Sequence, residues 1–302
     1  MAIEQTDLGP KAISAEFPFE SRYVDVHGSR MHYIEEGTGE PILFLHGNPT
    51  SNYLWRNIIP HVSGLGRCIA PDLIGMGKSD RPNIGYTYAD HARYVDGFIQ
   101  AMGIGENLTL VIHDWGSMLG FLWAAQNPGR VRAVAFMEAA LRPLSIKDMP
   151  GSLAMAFRLM RAPVTGWLIS GVGNIMINKM LPDLTHAKMS KEVHQTYKDA
   201  FPTVRSRRAV IQFPREVPLD GKPAASLKAV ETYVEWLKST DVPKLMFHGG
   251  GGVAIKEAEV QWSRQHLSNL TLCDLGEAKH FVQESHPHKI GQEISRWMAA
   301  LG

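Results

Sequence analysis

Asp114 stands where a hydrolase of the strand–turn–helix kind usually keeps a serine. It lies in LTLVIHDWGSMLG, residues 108–120. An apolar run closes at Val111 and predicts a buried strand, and the small-residue stretch from Gly116 to Gly120 predicts the start of a helix. A sharp turn between the two lifts its central side chain above a sheet. A carboxylate at that point suits displacement at saturated carbon. Its attack leaves an alkyl ester of the protein, whose carbonyl water can then cleave. The plainer reading of Asp114 is a helix cap, so the other strand ends have to decide.

LFLHGNPTSNYLW places His46, Gly47, Asn48 and Pro49 at the end of another strand. An H-G-x-P stretch there positions a backbone N–H for an oxyanion. LGEAKHFVQE places His280 in a loop after the last strand. It is one of 13 histidines, but the order nucleophile, acid, histidine suits this architecture. His286 and His288, in SHPHK, read instead as an exposed helix start. The acid is the most informative member. The strand PKLMFHG runs into Gly249–Gly252 and then Val253-Ala254-Ile255, with no Asp, and Glu257 falls on the next helix. VAFMEAALRP offers Glu138, one strand earlier, directly after an apolar stretch. A carboxylate buried there is costly without a partner, and a histidine supplies one. Its plainer role is a cap for the helix that follows.

These residues need a scaffold that brings strand ends together. SRYVDVHGSRMHYIEEG predicts two short strands around His27-Gly28, and PILFLHG, RCIAPDLIG, LTLVIH and VRAVAFME predict buried strands. Helical spacing appears in NYLWRNIIPHV, in YADHARYVDGFIQAMG and through MLGFLWAAQNPG. Alternation of this kind predicts a mostly parallel sheet flanked by helices, with ligands at the carboxyl ends of its strands. The pattern breaks after Glu138. Residues 142–223 show no strand alternation, and LAMAFRLMRAPVTGWLI, VGNIMINKML and SKEVHQTYKDAF read as helices. Alternation then resumes to the end of the chain. The expected organisation is a core of residues 1–141 and 224–302 with a helical cap, 142–223, inserted in it. The cap holds Met149, Met155, Met160, Met176, Met180 and Met189, with Phe157 and Trp167; most should be core between cap and sheet, and some should line an apolar pocket.

Composition sets the frame. The 302 residues are 44% hydrophobic and 20% charged, with a net charge of +1 and no long run of one sign, which argues against a nucleic-acid partner. MAIEQTDLGPKAISAEF has no apolar signal core, and no segment reaches membrane-spanning length, so no membrane partner is expected. Cys68 and Cys273 read as buried free thiols, which fits a reducing cytoplasm.

The chain resembles the α/β-hydrolases, and specifically the haloalkane dehalogenases that pair Asp, His and Glu with a halide-binding Asn and Trp. The resemblance runs from YVDVHG to ISRWM and rests on Asn48 in HGNPTS, Asp114 and Trp115 in VIHDWGS, Glu138 in FMEAALRP and His280 in AKHFVQE, with QFPREVPLDGKPA at the end of the cap. It implies Asp114 as nucleophile, His280 as general base and Glu138 as the acid that orients it. It implies Asn48 and Trp115 as halide and oxyanion donors, although a tryptophan beside a strand end can also be mere packing. Neither metal nor cofactor is implied. The expected partners are a small apolar halogenated substrate, water and halide, and the expected state is a monomer or weak homo-oligomer. Two features depart from the family: the run HGGGGVAIK, and Ile112 at the first small position of the elbow, although Gly116 keeps the second. Two related activities share parts of the pattern. An epoxide hydrolase needs paired cap tyrosines, and this cap has only Tyr197. A coelenterazine-type luciferase shares the motif residues.

Overall fold

The computed structural model describes residues 12–149 and 151–302; residues 1–11, most of the stretch read above for a leader, lie outside them. Eight strands form a single sheet: β1 Arg22–Val26, β2 Ser29–Glu36, β3 Pro41–Leu45, β4 Arg67–Pro71, β5 Leu108–His113, β6 Val131–Met137, β7 Lys244–His248 and β8 Leu270–Asp274. Their order is β1-β2-β4-β3-β5-β6-β7-β8. β1 and β2 pair antiparallel, as do β2 and β4, and every later pairing is parallel. β5, at the centre, is buried along its whole length. That is why LTLVIH reads as a continuous apolar run, with no polar face to alternate.

The helices are α1 Ile59–Val62, α2 Tyr88–Ala101, α3 Trp115–Gln126, α4 Gly151–Arg161, α5 Pro163–Gly166, α6 Leu181–Asp183, α7 Lys191–Asp199, α8 Arg208–Glu216, α9 Ala224–Ser239, α10 Glu257–His266 and α11 Pro287–Ala300. Local sequence sets several ends. Thr87 and Asp90 form a reciprocal capping box at the start of α2, and Gly103 follows its end at φ +65°. Ser190 caps α7 by accepting from the Val193 N–H.

One expected helix is broken. NYLWRNIIPHV forms a 3-10 turn at Asn52–Trp55 and then the single turn α1. Pro60 has no N–H to return to the carbonyl of Arg56, so a helix can only restart with the proline in its first turn. Cys68 is buried as expected, but Cys273 is half-buried, because β8 is an edge strand with a neighbour on one side only. His286 and His288 are also half-buried rather than exposed; His288 Nδ1 lies 3.0 Å from His61 Nε2.

Among the described residues between β6 and α9 the regular elements are helices joined by loops, with π-helical turns at Trp167–Val172 and Met176–Met180. Isolated bridges tie Leu144 to Leu219 and Leu219 to Lys222, closing the two ends of the insertion on each other. A buried network also fastens this segment to the sheet domain. Arg56 holds Glu284 in two bonds of 2.6 and 2.8 Å, and the Tyr197 hydroxyl of α7 donates to Glu284 Oε1 at 2.6 Å.

Candidate active site

Asp114 is the one residue between β5 and α3, at φ +50° and ψ −123°. A non-glycine residue rarely holds that conformation without compensation from its surroundings. The chain permits it through two close approaches. An added Cβ on Gly116 would lie 2.1 Å from the Leu45 carbonyl oxygen, and one on Gly47 would lie 2.1 Å from Asp114 Oδ1. Ile112 is accommodated because its side chain packs toward Gly120 and not into the turn. Asp114 makes no side-chain cap bond to α3, so its carboxylate is left for other work.

The carboxylate oxygens face different groups. Oδ1 accepts from the backbone N–H of Asn48 at 2.8 Å, and the neighbouring Trp115 backbone N–H also favours the charged form of the carboxylate. Oδ2 lies 3.4 Å from His280 Nε2. On the other side of the imidazole, Nδ1 is 2.9 Å from Glu138 Oε2. Asp114, His280 and Glu138 thus form one chain of contacts, assembled from the ends of β5 and β6 and the loop after β8. Glu257, the other acid considered, is exposed on α10 and bonds Gln261.

Burial works against charge on His280, but hydrogen bonds and charge from Asp114 and Glu138 outweigh it and push its pKa up to about 10. Burial also works against the charge of Asp114, and the His280 contact overrides it, so the carboxylate titrates below its usual range. Nucleophile and imidazole are therefore an ion pair at neutral pH. The adjacent His113 behaves differently. Burial drives its pKa down to about 3, so it stays neutral, and its Nε2–H donates to the His280 carbonyl at 3.0 Å.

The glycine run after β7 explains how Glu138 is tolerated. Glu138 is buried, at φ +45°. Its carboxylate accepts the backbone N–H groups of Val253 at 2.7 Å, Ala254 at 2.9 Å and Ile255 at 3.2 Å. The turn that presents them passes so close that an added Cβ on Gly252 would lie 2.6 Å from Glu138 Oε1. These three amides are partners that sequence reasoning missed. The signal was the unexplained HGGGGVAIK itself: glycines permit a backbone approach that side chains forbid.

A pocket opens over Asp114, Trp115 and His280. Trp115 packs on Phe213 and Tyr88, with ring centroids 4.7 and 5.7 Å away, and its indole N–H has no acceptor among the described residues. Asn48 Nδ2 makes only long contacts, 3.4 Å to the Val210 carbonyl and 3.6 Å to the Met176 sulfur. Both are uncharged donors at the floor of an apolar space. Met149, Phe157, Met160, Met176 and Met180 of the insertion line it. As expected, Met160 and Met176 are buried in the core and Met149, Met180 and Met189 pack against it. All but Met189 of these also face the pocket, while Met155 and Trp167 point outward and are about half exposed. Tyr197 does not line the pocket, and its hydroxyl is taken by Glu284.

A family model described as alpha/beta hydrolase fold matches residues 40–287. A haloalkane dehalogenase from Agrobacterium fabrum is 38% identical over 278 residues, covering 92% of this chain and 91% of its own. Another, from Mesorhizobium japonicum, is 40% identical over 282 residues, covering 91% and 90%. Among solved structures, the haloalkane dehalogenase DbeA from Bradyrhizobium elkani superposes with a TM-score of 0.91 at 37% identity, over 94% of this chain and 98% of that one. The haloalkane dehalogenase DatA from Agrobacterium tumefaciens gives 0.89 at 37% identity, over 94% and 97%.

Proposed function

The chain belongs to the haloalkane dehalogenases, enzymes of α/β-hydrolase fold, and from that premise we propose how its residues divide the work. The reaction is hydrolysis of a haloalkane to an alcohol, halide and a proton. Asp114 Oδ2 attacks the carbon that carries the halogen, the carbon–halogen bond breaks, and its electron pair leaves with the halide. The indole N–H of Trp115 and the side-chain N–H of Asn48 receive that halide. Each such bond to a charged group is worth about 1.5–3 kcal/mol.

The product of this step is an alkyl ester of Asp114. Water attacks its carbonyl carbon while His280 Nε2 takes the water's proton, and Glu138 holds the imidazole and offsets its charge. Negative charge collects on Oδ1, which the backbone N–H of Asn48 already faces, and the Trp115 backbone N–H is assigned as its second donor. The ester C–O bond then breaks, and the leaving alkoxide oxygen takes the second water proton from the Asp114 carboxyl group. The alcohol departs, and the carboxylate is restored beside the protonated imidazole.

The observation that carries this reading is the division of the Asp114 carboxylate, with Oδ1 on the Asn48 amide and Oδ2 facing the imidazole. It also resolves how a histidine with a pKa near 10 can be a base. Alkylation removes the charge of Asp114, and with it the first of the two contacts that hold the proton on His280. That proton passes to solvent as the acid the reaction releases, leaving Nε2 free to accept. The base is released by the step that creates the need for it.

Residues 142–223 are assigned to the cap and the remainder to the core, since the insertion leaves after β6 and returns at α9. A cytoplasmic monomer or weak homo-oligomer accords with two unpaired cysteines. Incubation of the protein with 1-bromobutane tests the activity: bromide and acid should appear in equal amounts, and release of neither overturns it.

A further inference from the structure

The outer face of the insertion is apolar where it should be polar. On α4, Leu153, Phe157 and Met160 turn inward and line the pocket, while Met155 and Leu159, on the opposite side of the same helix, are exposed. The run that follows continues the pattern. Val164, Leu168 and Val172 recur every fourth residue along α5 and the π-helical turn, and Trp167 sits beside Leu168. Val164 is 69% exposed, and Trp167, Leu168 and Val172 are each about half exposed. A helical surface apolar on both sides is the pattern of a buried or membrane-facing element.

Charge identifies what covers it. From Met149 to Pro182 the sequence has no Asp or Glu, and residues 151–219 carry ten Lys and Arg against four Asp and Glu. The whole chain is at only +1, so the rest of the molecule is net negative. This separation turns the insertion toward an anionic surface and the rest of the molecule away from it. Six half-exposed side chains fall short of the roughly 800 Å² per partner that a stable protein interface buries, whereas shallow insertion into a lipid surface needs no such area.

We propose that this face, formed by Met155, Leu159, Val164, Trp167, Leu168 and Val172 with Arg158 at its edge, docks on an anionic lipid bilayer, placing the pocket one helix thickness from the phase in which apolar haloalkanes dissolve. The sequence suggested no membrane partner because no segment spans one, and among the described residues no helix is long and apolar enough to cross. Peripheral docking requires no span.

The test is flotation of the full chain with vesicles of phosphatidylcholine alone and of phosphatidylcholine mixed with phosphatidylglycerol. The chain should float with the mixed vesicles and much less with the neutral ones. Trp167→Gln with Leu168→Gln should lower partitioning tenfold or more, by about the transfer cost of two large apolar side chains. Arg158→Gln should lower it about fivefold. Both variants should release bromide from dissolved 1-bromobutane at the unaltered rate, since none of the three residues lines the pocket. Flotation is read without turnover, so its failure stands apart from any failure of the catalytic assignments. No flotation with either vesicle overturns the proposal, and so does equal flotation with both. A concentration-dependent dimer that the Trp167 and Leu168 substitutions dissolve assigns the face to a second copy of the chain and also overturns it.

Discussion

Asp114 Oδ2 faces His280 Nε2 across 3.4 Å, so the attacking carboxylate and the imidazole form an ion pair before any substrate enters. The pair must be broken by the chemistry, because the ester of Asp114 carries no charge. Displacement needs the carboxylate and the halide donors but no base; hydrolysis needs the base. A His280→Phe variant should therefore release about one halide per active site and then stop. Its intact mass should rise by one alkyl group, carried on the peptide that contains Asp114, and Asp114→Asn should release nothing. A folded His280→Phe variant that binds halide yet never becomes alkylated would replace the covalent route with direct attack by water.

The same pair sets a pH dependence of stability. His280 titrates near 10 in the folded protein, above the usual histidine value of 6.5. Its contribution is therefore fully present below about 6.5 and is lost as pH rises through about 10. Asp114 titrates below its usual 3.8, so its contribution is present above that value and is lost as pH falls through the lower folded one. Urea denaturation of wild type and His280→Phe should show the wild type's margin larger near pH 6 than near pH 10. A margin that grows with pH would mean that the imidazole is not held protonated.

Trp115→Phe keeps the ring contacts with Phe213 and Tyr88 but removes the indole N–H. Turnover should fall by the equivalent of about 2.7–4 kcal/mol, as for loss of an oxyanion-hole donor. Quenching of the remaining tryptophan fluorescence by bromide should weaken in parallel. Full kcat together with full halide affinity would remove Trp115 from the halide site.

Glu138→Gln should impair turnover severely, while Glu257→Gln, on the exposed start of α10, should leave it near wild type; the opposite result moves the acid to the later strand. The glycine run gives a companion test. Gly252→Ala forces a methyl group to 2.2 Å from the Ile255 carbonyl oxygen and should cost about 1–3 kcal/mol of stability, together with activity. Gly250→Ala meets only the Glu277 side chain, at 3.4 Å, and should be nearly silent in melting and kinetic measurements.

The sequence made the sheet legible because its strands are buried and end in glycine or turn residues, as PILFLHG does at Gly47. Asp114 and Glu138 were legible for a related reason: a carboxylate directly after an apolar run has to be partnered. What could not be read were contacts made by backbone. Nothing about Val253, Ala254 or Ile255 as side chains announces that their amides hold Glu138. The outward turn of Met155 and Trp167 was likewise hidden, since an apolar residue in a helical insertion reads the same whether it faces a core, a pocket or solvent. Pro60 did announce a break, but the apolar spacing around it masked the signal.

Val253 and Ala254 give their amides to Glu138 and their side chains to the wall of the pocket. The support of the acid and the shape of the cavity are therefore encoded in separable parts of the same two residues. Selection, natural or in the laboratory, can change which molecules fit by exchanging these side chains while the carboxylate keeps its donors. Proline is the exception, because it would remove the amide. A randomised library at positions 253 and 254 that omits proline should retain a high fraction of active members and still span a wide range of substrate preference.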